Sequence, residues 1–279
     1  MTQNPKLSLP NVTLVLIDNI VHELSQKALE DTLNLINPHD IAIWTDDPFK
    51  MDKISKLHST RYYPFGGKTI EAYNEILWWE VPKHITTSHV LVLQWDGWVI
   101  NKNFWTDEFL SYDYIGAIWP WHETFRIGNG GFSLRSVRLM QYLTRWIKEG
   151  YIHLNPLEDD SLCRIHRPEL ESFGFKWPDE FIANNFSREH NWKPQMINAS
   201  QLNPELYPPG TPGILTTTKS FGFHDCRNWF RILTPLQLFE RAALCEKNPY
   251  ITKKPAYQEL INSVRKPIFN HSFWTGWSS

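Results

Sequence analysis

The sequence predicts one α/β domain with a helical C-terminal portion, and three stretches near its start carry that prediction. Val12-Thr-Leu-Val-Leu-Ile17 is a short β-branched apolar run of the kind that forms a buried strand. Glu23 to Leu35 follows, with apolar Leu24, Ala28, Leu29 and Leu33 at helical spacing, and Asp40-Ile-Ala-Ile-Trp44 then returns to a strand pattern. A strand, a helix and a strand of continuous apolar character mark a parallel βαβ unit, because helices cover both faces of such strands.

The later elements follow in order. Tyr62 to Gly67 reads as a loop, Ile70 to Glu80 as a helix, and Ser88 to Gln94 as the strongest strand of the chain. Asp107 to Leu110 and Ile115 to Trp119 add a short helix and another strand. Arg126 to Arg135 reads as a Gly-rich loop and Val137 to Gly150 as an amphipathic helix. Leu157 to Arg167 reads as a helix beginning on acids, which suits the positive end of a helix dipole. Asn203 to Gly213, rich in Pro and Gly, is expected to be an irregular loop; Leu233 to Glu246 and Tyr257 to Arg265 read as closing helices. A single domain over residues 1–279 is therefore expected, with its core at about 10–230 and a helical extension over 231–279.

Composition narrows the class. A chain of 279 residues buries enough surface to fold without disulfides. Cys163, Cys226 and Cys245 are odd in number and lack CxxC or finger spacing, which argues against a disulfide framework and a structural zinc. Reduced cysteines, and a polar Met1 to Pro10 without a signal-peptide pattern, fit a cytoplasmic protein. The longest apolar stretch, His89 to Ile100, is broken by Gln94 and Asp96 and falls short of the roughly 20 apolar residues a membrane span requires. Membrane contact is then peripheral at most. The net charge is −2 with dispersed Lys and Arg, so the electrostatic footprint of a nucleic-acid binder is missing. Fourteen tryptophans fill cores, but the same side chain stacks on sugars and bases.

Four segments can carry chemistry. Asp96, before Gly97, closes the strand Val90 to Gln94, where open α/β sheets bind ligands; a lone Asp there equally caps a turn. One or two carboxylates suffice for a Mg²⁺ or Mn²⁺ held on a diphosphate, because phosphate oxygens and water complete the octahedron. In Arg126-Ile-Gly-Asn-Gly-Gly-Phe-Ser-Leu-Arg135 three glycines within four residues allow close backbone approach and positive φ, and Asn129 adds a side-chain amide. The loop has neither the P-loop nor the GxGxxG spacing, and a plain tight turn is the competing reading. Glu158-Asp159-Asp160 is either a solvated helix start or the source of a general base. His224, in Ser220-Phe-Gly-Phe-His-Asp225, is either a core histidine or a second metal ligand.

Taken in order, QxDG after a strand, D-Y-I-G-A-x-W-P (Asp113 to Pro120), G-N-G-G-F-S-L-R (Gly128 to Arg135), an E-D pair and F-G-F-H resemble a bacterial and fungal family. That family is known only as a domain of unknown function and is grouped with GT-A-type glycosyltransferases. The resemblance spans roughly Val12 to Asp225. It implies a GT-A-like, Rossmann-type sheet, mixed and mainly parallel, flanked by helices, and a nucleotide-sugar-dependent glycosyltransferase using Mn²⁺ or Mg²⁺. Asp96 falls where the metal-contacting Asp of a D-x-D motif stands, although Gln94 replaces its first acid. By the same resemblance Asp159, or Glu158, supplies the base and His224 contacts the metal. Thr45 and Asp46 meet the nucleoside with Asp18 beside them, and Asn129, Gly130 and Gly131 shape the donor-sugar pocket. Trp98, Trp119 and Trp121 lie near these motifs as acceptor-stacking candidates. A UDP-sugar donor, a glycan or glycoconjugate acceptor and a role in polysaccharide biosynthesis are the implied partners and setting.

Two other classes stay open. One is a catalytically inactive nucleotide-sugar or carbohydrate-binding protein, which the missing D-x-D acid favours. The other is a metal-dependent hydrolase, which releases product without any sugar acceptor.

Overall fold

The computed structural model describes residues 5–51, 60–151, 157–189 and 219–261. The chain divides into two compact units, Met1–His224 and Asp225–Ser279. In the first, β1 (Leu7–Ile17) lies inside a six-stranded sheet and pairs in parallel with β2 (Ile36–Thr45) on one side and with β4 (His89–Leu93) on the other. β3 (Thr60–Pro64) adds parallel to β2 at one edge. At the other edge β6 (Ser133–Ser136) runs antiparallel to β4, and β5 (Tyr114–Ile115) runs antiparallel to β6. The order is β3-β2-β1-β4-β6-β5, so the sheet is mixed and mainly parallel, as expected.

Successive side chains of a strand point to opposite faces, and here both faces are apolar. Leu14, Leu16, Leu91 and Leu93 pack with Leu29 and Leu33 of α1 (His22–Leu35). Val15, Ile17, Val90 and Val92 face the other way, against Leu77, Val81 and Met140. Each such side chain contributes about 1.5–3 kcal/mol when fully buried, which is why this alternation fixes the register.

The structure departs from the expected elements in several places. Thr60–Pro64 is a strand, where Tyr62 to Gly67 reads as a loop; Pro64 is tolerated because it ends an edge strand. The helix expected over Ile70 to Glu80 is α2 (Ile70–Glu75), started by Thr69, which accepts the Ala72 N–H; it then widens into a π turn over Ile76–Glu80 before α3 (Val81–His84). Pro82 has no N–H to continue a regular ladder there. The strand expected over Ile115 to Trp119 shrinks to β5 and a single bridge between Ile118 and Ile127. The Gly-rich loop ends in β6, because Ser133 to Ser136 finds main-chain partners on β4.

α4 (Val137–Lys148) follows β6, with Ser136 accepting the Leu139 N–H. Leu157 to Arg167 divides into α5 (Glu158–Asp160) and a π turn, Ser161–Ile165, before α6 (Arg167–Ser172). α7 (Glu180–Phe186) leads into β7 (Ser187–Arg188), which pairs in parallel with β8 (Gly222–Phe223). The second unit holds α8 (Trp229–Ile232), α9 (Pro235–Glu246) and α10 (Pro249–Thr252). Thr234 and Gln237 form a capping box on α9. The irregular loop expected at Asn203 to Gly213 lies outside the described residues, as does the end of the helix expected over Tyr257 to Arg265, whose residues 255–261 are helical. Among the described residues no helix is long and apolar enough to cross a membrane.

Candidate functional site

The chemistry-bearing segments meet at the C-terminal ends of β1, β2 and β4. β4 ends in a turn in which the Gly97 N–H donates to the Gln94 carbonyl at 3.1 Å, lifting Trp95 and Asp96 to its tip. This turn is tied to β8 by main-chain bonds: Ile100 N–H to Phe221 O at 2.9 Å, and a bridge between Val99 and Gly222. The ladder delivers His224, the residue after β8, to Asp96. Asp96 Oδ1 and His224 Nε2 lie 3.4 Å apart.

Gly97 makes that approach possible, since a Cβ there would sit 2.8 Å from the Phe223 carbonyl oxygen. The glycine loop works the same way. A Cβ at Gly131 would lie 2.0 Å from His224 Nε2, and one at Gly130 would lie 2.3 Å from Glu158 Oε1. These glycines were expected to supply positive φ. Instead it is Asn129 that adopts φ 66, and the glycines make room for neighbouring side chains.

Asn129 organises the next layer. Its Oδ1 accepts the Gly131 N–H at 3.1 Å, which fixes the amide so that Nδ2 donates to Glu189 Oε2 at 2.6 Å and faces His224 Nδ1 at 3.1 Å. Glu189 Oε1 is 3.3 Å from His224 Nδ1. The imidazole therefore stands between two carboxylates. Burial opposes its charge, but Asp96 and then Glu189 outweigh that and raise its pKa well above the usual histidine range, so a cation at Nε2 would have to displace the proton held there. Sequence reasoning missed Glu189, an isolated acid that belongs to none of the motifs.

Beneath the loop, Arg135 and Glu158 form a buried bidentate pair at 2.7 and 2.8 Å, with Arg135 only 2 % exposed. Burial disfavours the guanidinium charge, yet the adjacent carboxylate keeps it protonated above its ordinary range. Arg135 also donates to Gly130 O at 3.3 Å and lies over the Tyr114 ring, whose hydroxyl donates to Asn129 O at 3.0 Å. The pair thus fixes both the loop and the start of α5. Asp159, one residue on, accepts the Gly130 N–H through Oδ2 at 2.9 Å.

The nucleoside candidates lie along the same edge. Asp18 Oδ1 accepts the N–H groups of Ile20 and Val21 at 2.8 and 3.0 Å and so starts α1; its Oδ2 is buried and accepts no hydrogen bond among the described residues. Thr45 and Asp46 border a cavity of about 430 Å³ walled by Tyr62, Tyr63, Phe65 and Pro48. Asp46 Oδ1 is held by His22 Nε2 at 2.7 Å. Of the acceptor candidates, Trp98 and Trp119 are buried, the first edge-on to Phe223 and the second against Gly128. Trp121 is exposed.

A divalent cation fits the donor set at Asp96. Adjacent corners of an octahedron with ligands at about 2.1 Å are roughly 3 Å apart, close to the 3.4 Å between Asp96 Oδ1 and His224 Nε2. Behind the imidazole, the Glu189 contact at Nδ1 is the kind of outer partner that orients a ligating histidine. Among the described residues no three His, Cys, Asp or Glu side chains converge to hold an ion, so the protein would offer two donors and leave the rest to a ligand and water.

The family model described as protein of unknown function (DUF5672) matches residues 60–204. The chain belongs to this family. The DUF5672 match takes in Asp96, Asn129 to Gly131, Glu158, Asp159 and Glu189, but not Asp18, Thr45, Asp46 or His224. No curated protein matches this DUF5672 chain at a significant level. Among solved structures it is similar to the glycosyltransferase GlyE of Streptococcus pneumoniae TIGR4, at 12 % identity and a TM-score of 0.42, covering 95 % of this chain and 64 % of that one. It is also similar to glucosyl-3-phosphoglycerate synthase of Mycobacterium tuberculosis in complex with Mn²⁺, uridine diphosphate and phosphoglyceric acid. There the identity is 10 % and the TM-score 0.34, over 46 % of this chain and 56 % of that one. The chain spans less than two thirds of the length of either protein.

Proposed function

We propose that this DUF5672 protein is a glycosyltransferase that moves a sugar from a nucleotide-sugar donor to a hydroxyl acceptor. The observation that carries the proposal is the meeting of Asp96, His224 and the Asn129–Gly131 loop at one strand end, with Asp159 bonded to Gly130 beside them. A diphosphate end and a carboxylate base would then meet at the same loop.

The roles follow from position. The base of the donor, most simply uracil, occupies the aromatic-walled cavity, where Asp46 keeps Oδ2 to accept one ring N–H because His22 holds Oδ1. Asp96 and His224 would hold Mn²⁺ or Mg²⁺ at the diphosphate; when bound, the ion neutralises charge on the leaving nucleoside diphosphate. The Asn129–Gly131 loop walls the donor-sugar position. Glu158 is buried and ion-paired through both oxygens with Arg135, whereas Asp159 is only part-buried and, among the described residues, accepts main-chain N–H groups alone, so the base is Asp159. Asp159 takes the acceptor hydroxyl proton as that oxygen attacks the anomeric carbon, and the bond from that carbon to the diphosphate oxygen breaks.

Gln94, an amide where the resemblance has an acid, favours a second reading in which the chain binds a nucleotide sugar without turning it over. Thermal-shift measurements against a panel of nucleotide sugars, with and without Mn²⁺, test both readings alongside an assay for released nucleoside diphosphate. Transfer predicts stabilisation by one donor and acceptor-dependent release. Stabilisation without release selects the binder, release without acceptor selects a hydrolase, and no response to any donor defeats both readings.

A further inference from the structure

A hairpin lies between β5 and the glycine loop, bridged by Ile118 and Ile127. Trp119 N–H donates to Arg126 O at 2.7 Å and Gly128 N–H to Ala117 O at 3.1 Å, so residues 120–125 form the tip. Phe125 has φ 49, in the left-handed region that bulky side chains avoid. Such a conformation persists only where the surroundings impose it. Here Arg126 Nη1 is bound by both oxygens of Glu180, at 2.9 and 3.0 Å, and the Arg167 guanidinium lies 5.2 Å from the Phe125 ring centroid and 5.1 Å from that of Trp177. The tip is pinned.

A row of rings runs outward along it. Trp119 packs on Gly128, where a Cβ would lie 2.1 Å from its ring. His122 stands edge-on to Trp119 at 5.6 Å, and Trp121 lies edge-on to His122 at 5.8 Å while donating its indole N–H to His122 Nε2 at 3.0 Å. The row starts on Gly128, the neighbour of Asn129, and ends on Trp121, which is 58 % exposed. His122 also feels Arg164 and Asp160, which form an ion pair at 2.7 Å next to Asp159. The exposed indole thus extends from Gly128, two residues before Gly130, whose N–H is held by Asp159.

On the glycosyltransferase reading, we infer that Trp121 is the acceptor subsite and that the acceptor is a carbohydrate stacking the C–H face of a sugar ring on the indole. A rigid aromatic ring supplies contact area at low entropic cost. Its neighbours His122, Glu123 and Thr124 are polar, which suits sugar hydroxyls and would oppose a lipid chain.

The test is binding of wild type, Trp121→Ala and Trp121→Phe to a printed array of neutral oligosaccharides, with the nucleotide-sugar thermal shift measured on the same samples. Wild type should retain a discrete set of glycans. Trp121→Ala should bind the same set at least tenfold more weakly and Trp121→Phe should fall between, with the donor shift unchanged in both. An array without retained glycans, or equal binding by Trp121→Ala, overturns the inference. Because array binding needs no donor, loss of the donor shift in wild type instead counts against the glycosyltransferase reading.

Discussion

Asp96 Oδ1 lies 3.4 Å from His224 Nε2, although 128 residues separate them in the chain. Main-chain bonds from the segment after Gly97 to β8 impose that approach, so the pair is preset by the fold. Asp96→Asn keeps the shape of the side chain and removes its charge. It should abolish the Mn²⁺-dependent part of the stabilisation by a nucleotide sugar, a stabilisation that in total is worth about 2.7 kcal/mol for any ligand at 100 times its Kd. Thermal melts with and without Mn²⁺ check this; an undiminished Mn²⁺ effect would remove Asp96 from the metal site.

Gly131 has no room for a methyl group, because a Cβ at that position falls 2.0 Å from His224 Nε2. In Gly131→Ala the obstacle is a side chain that can swing away, whereas in Gly116→Ala it is the Gly128 carbonyl oxygen, 1.6 Å distant and part of the main chain. Gly131→Ala should therefore lose the donor-induced shift while its own melting temperature falls little. Gly116→Ala should melt earlier, by the roughly 1–3 kcal/mol typical of overpacking. Equal losses of stability in the two variants would contradict the assignment.

How much of this was legible in the sequence depends on whether the determinant is local. The apolar runs of β1, β2 and β4 announce buried strands, and Leu24, Leu29 and Leu33 announce the face of α1, because periodicity is local. β6 was hidden inside the glycine loop, since Ser133-Leu-Arg-Ser136 is a strand only by virtue of its antiparallel partner. Asp96, Asn129 and Asp159 stand out by motif and position. Glu189 does not, and its contacts with Asn129 and His224 arise from the β7–β8 pairing, which links segments 35 residues apart. For Trp98 and Trp119 proximity to a motif says nothing of exposure, and packing against Phe223 and Gly128 buries both.

Arg135 and Glu158 make opposed predictions for single and double changes. Removing one partner leaves a buried, uncompensated charge, so Glu158→Ala should cost about 3–5 kcal/mol in urea unfolding. Replacing both, as Arg135→Met with Glu158→Leu, should recover most of that loss, because apolar groups of similar volume carry no desolvation penalty. The double variant should still lose activity, since Arg135 no longer holds Gly130. A double variant as unstable as the single one would show that the pair does more than balance buried charge.

His89 gives the stability a pH dependence of known sign. Burial holds its imidazole below the usual histidine pKa, with Nε2 at 3.1 Å from Tyr112 O and Nδ1 at 3.0 Å from Ser88 Oγ. The unfolded chain therefore binds a proton near pH 6.5 that the folded chain refuses until lower pH, so this group's contribution is complete above about 6.5 and is lost as pH falls below it. His89→Gln should flatten the unfolding free energy over that window relative to wild type. An unchanged slope would mean that other groups carry it.

Asp159 carries the reaction in the proposed function, and its two hydrogen bonds define the variant that tests it. Oδ2 accepts the Gly130 N–H and Oδ1 the Asp160 N–H, each at 2.9 Å, so Asp159→Asn keeps one of these hydrogen bonds, sets its NH2 against the other N–H and loses the basic group. Donor binding, read by thermal shift, should stay within a few fold of wild type. Turnover, read as released nucleoside diphosphate, should fall by roughly 10²–10⁴-fold, the usual worth of a positioned general base. The fall should appear in kcat with little change in donor KM, because the proton moves only in the transition state. Full turnover in Asp159→Asn would move the base elsewhere, and a lost donor shift would mean that Asp159 shapes the loop rather than serving the chemistry.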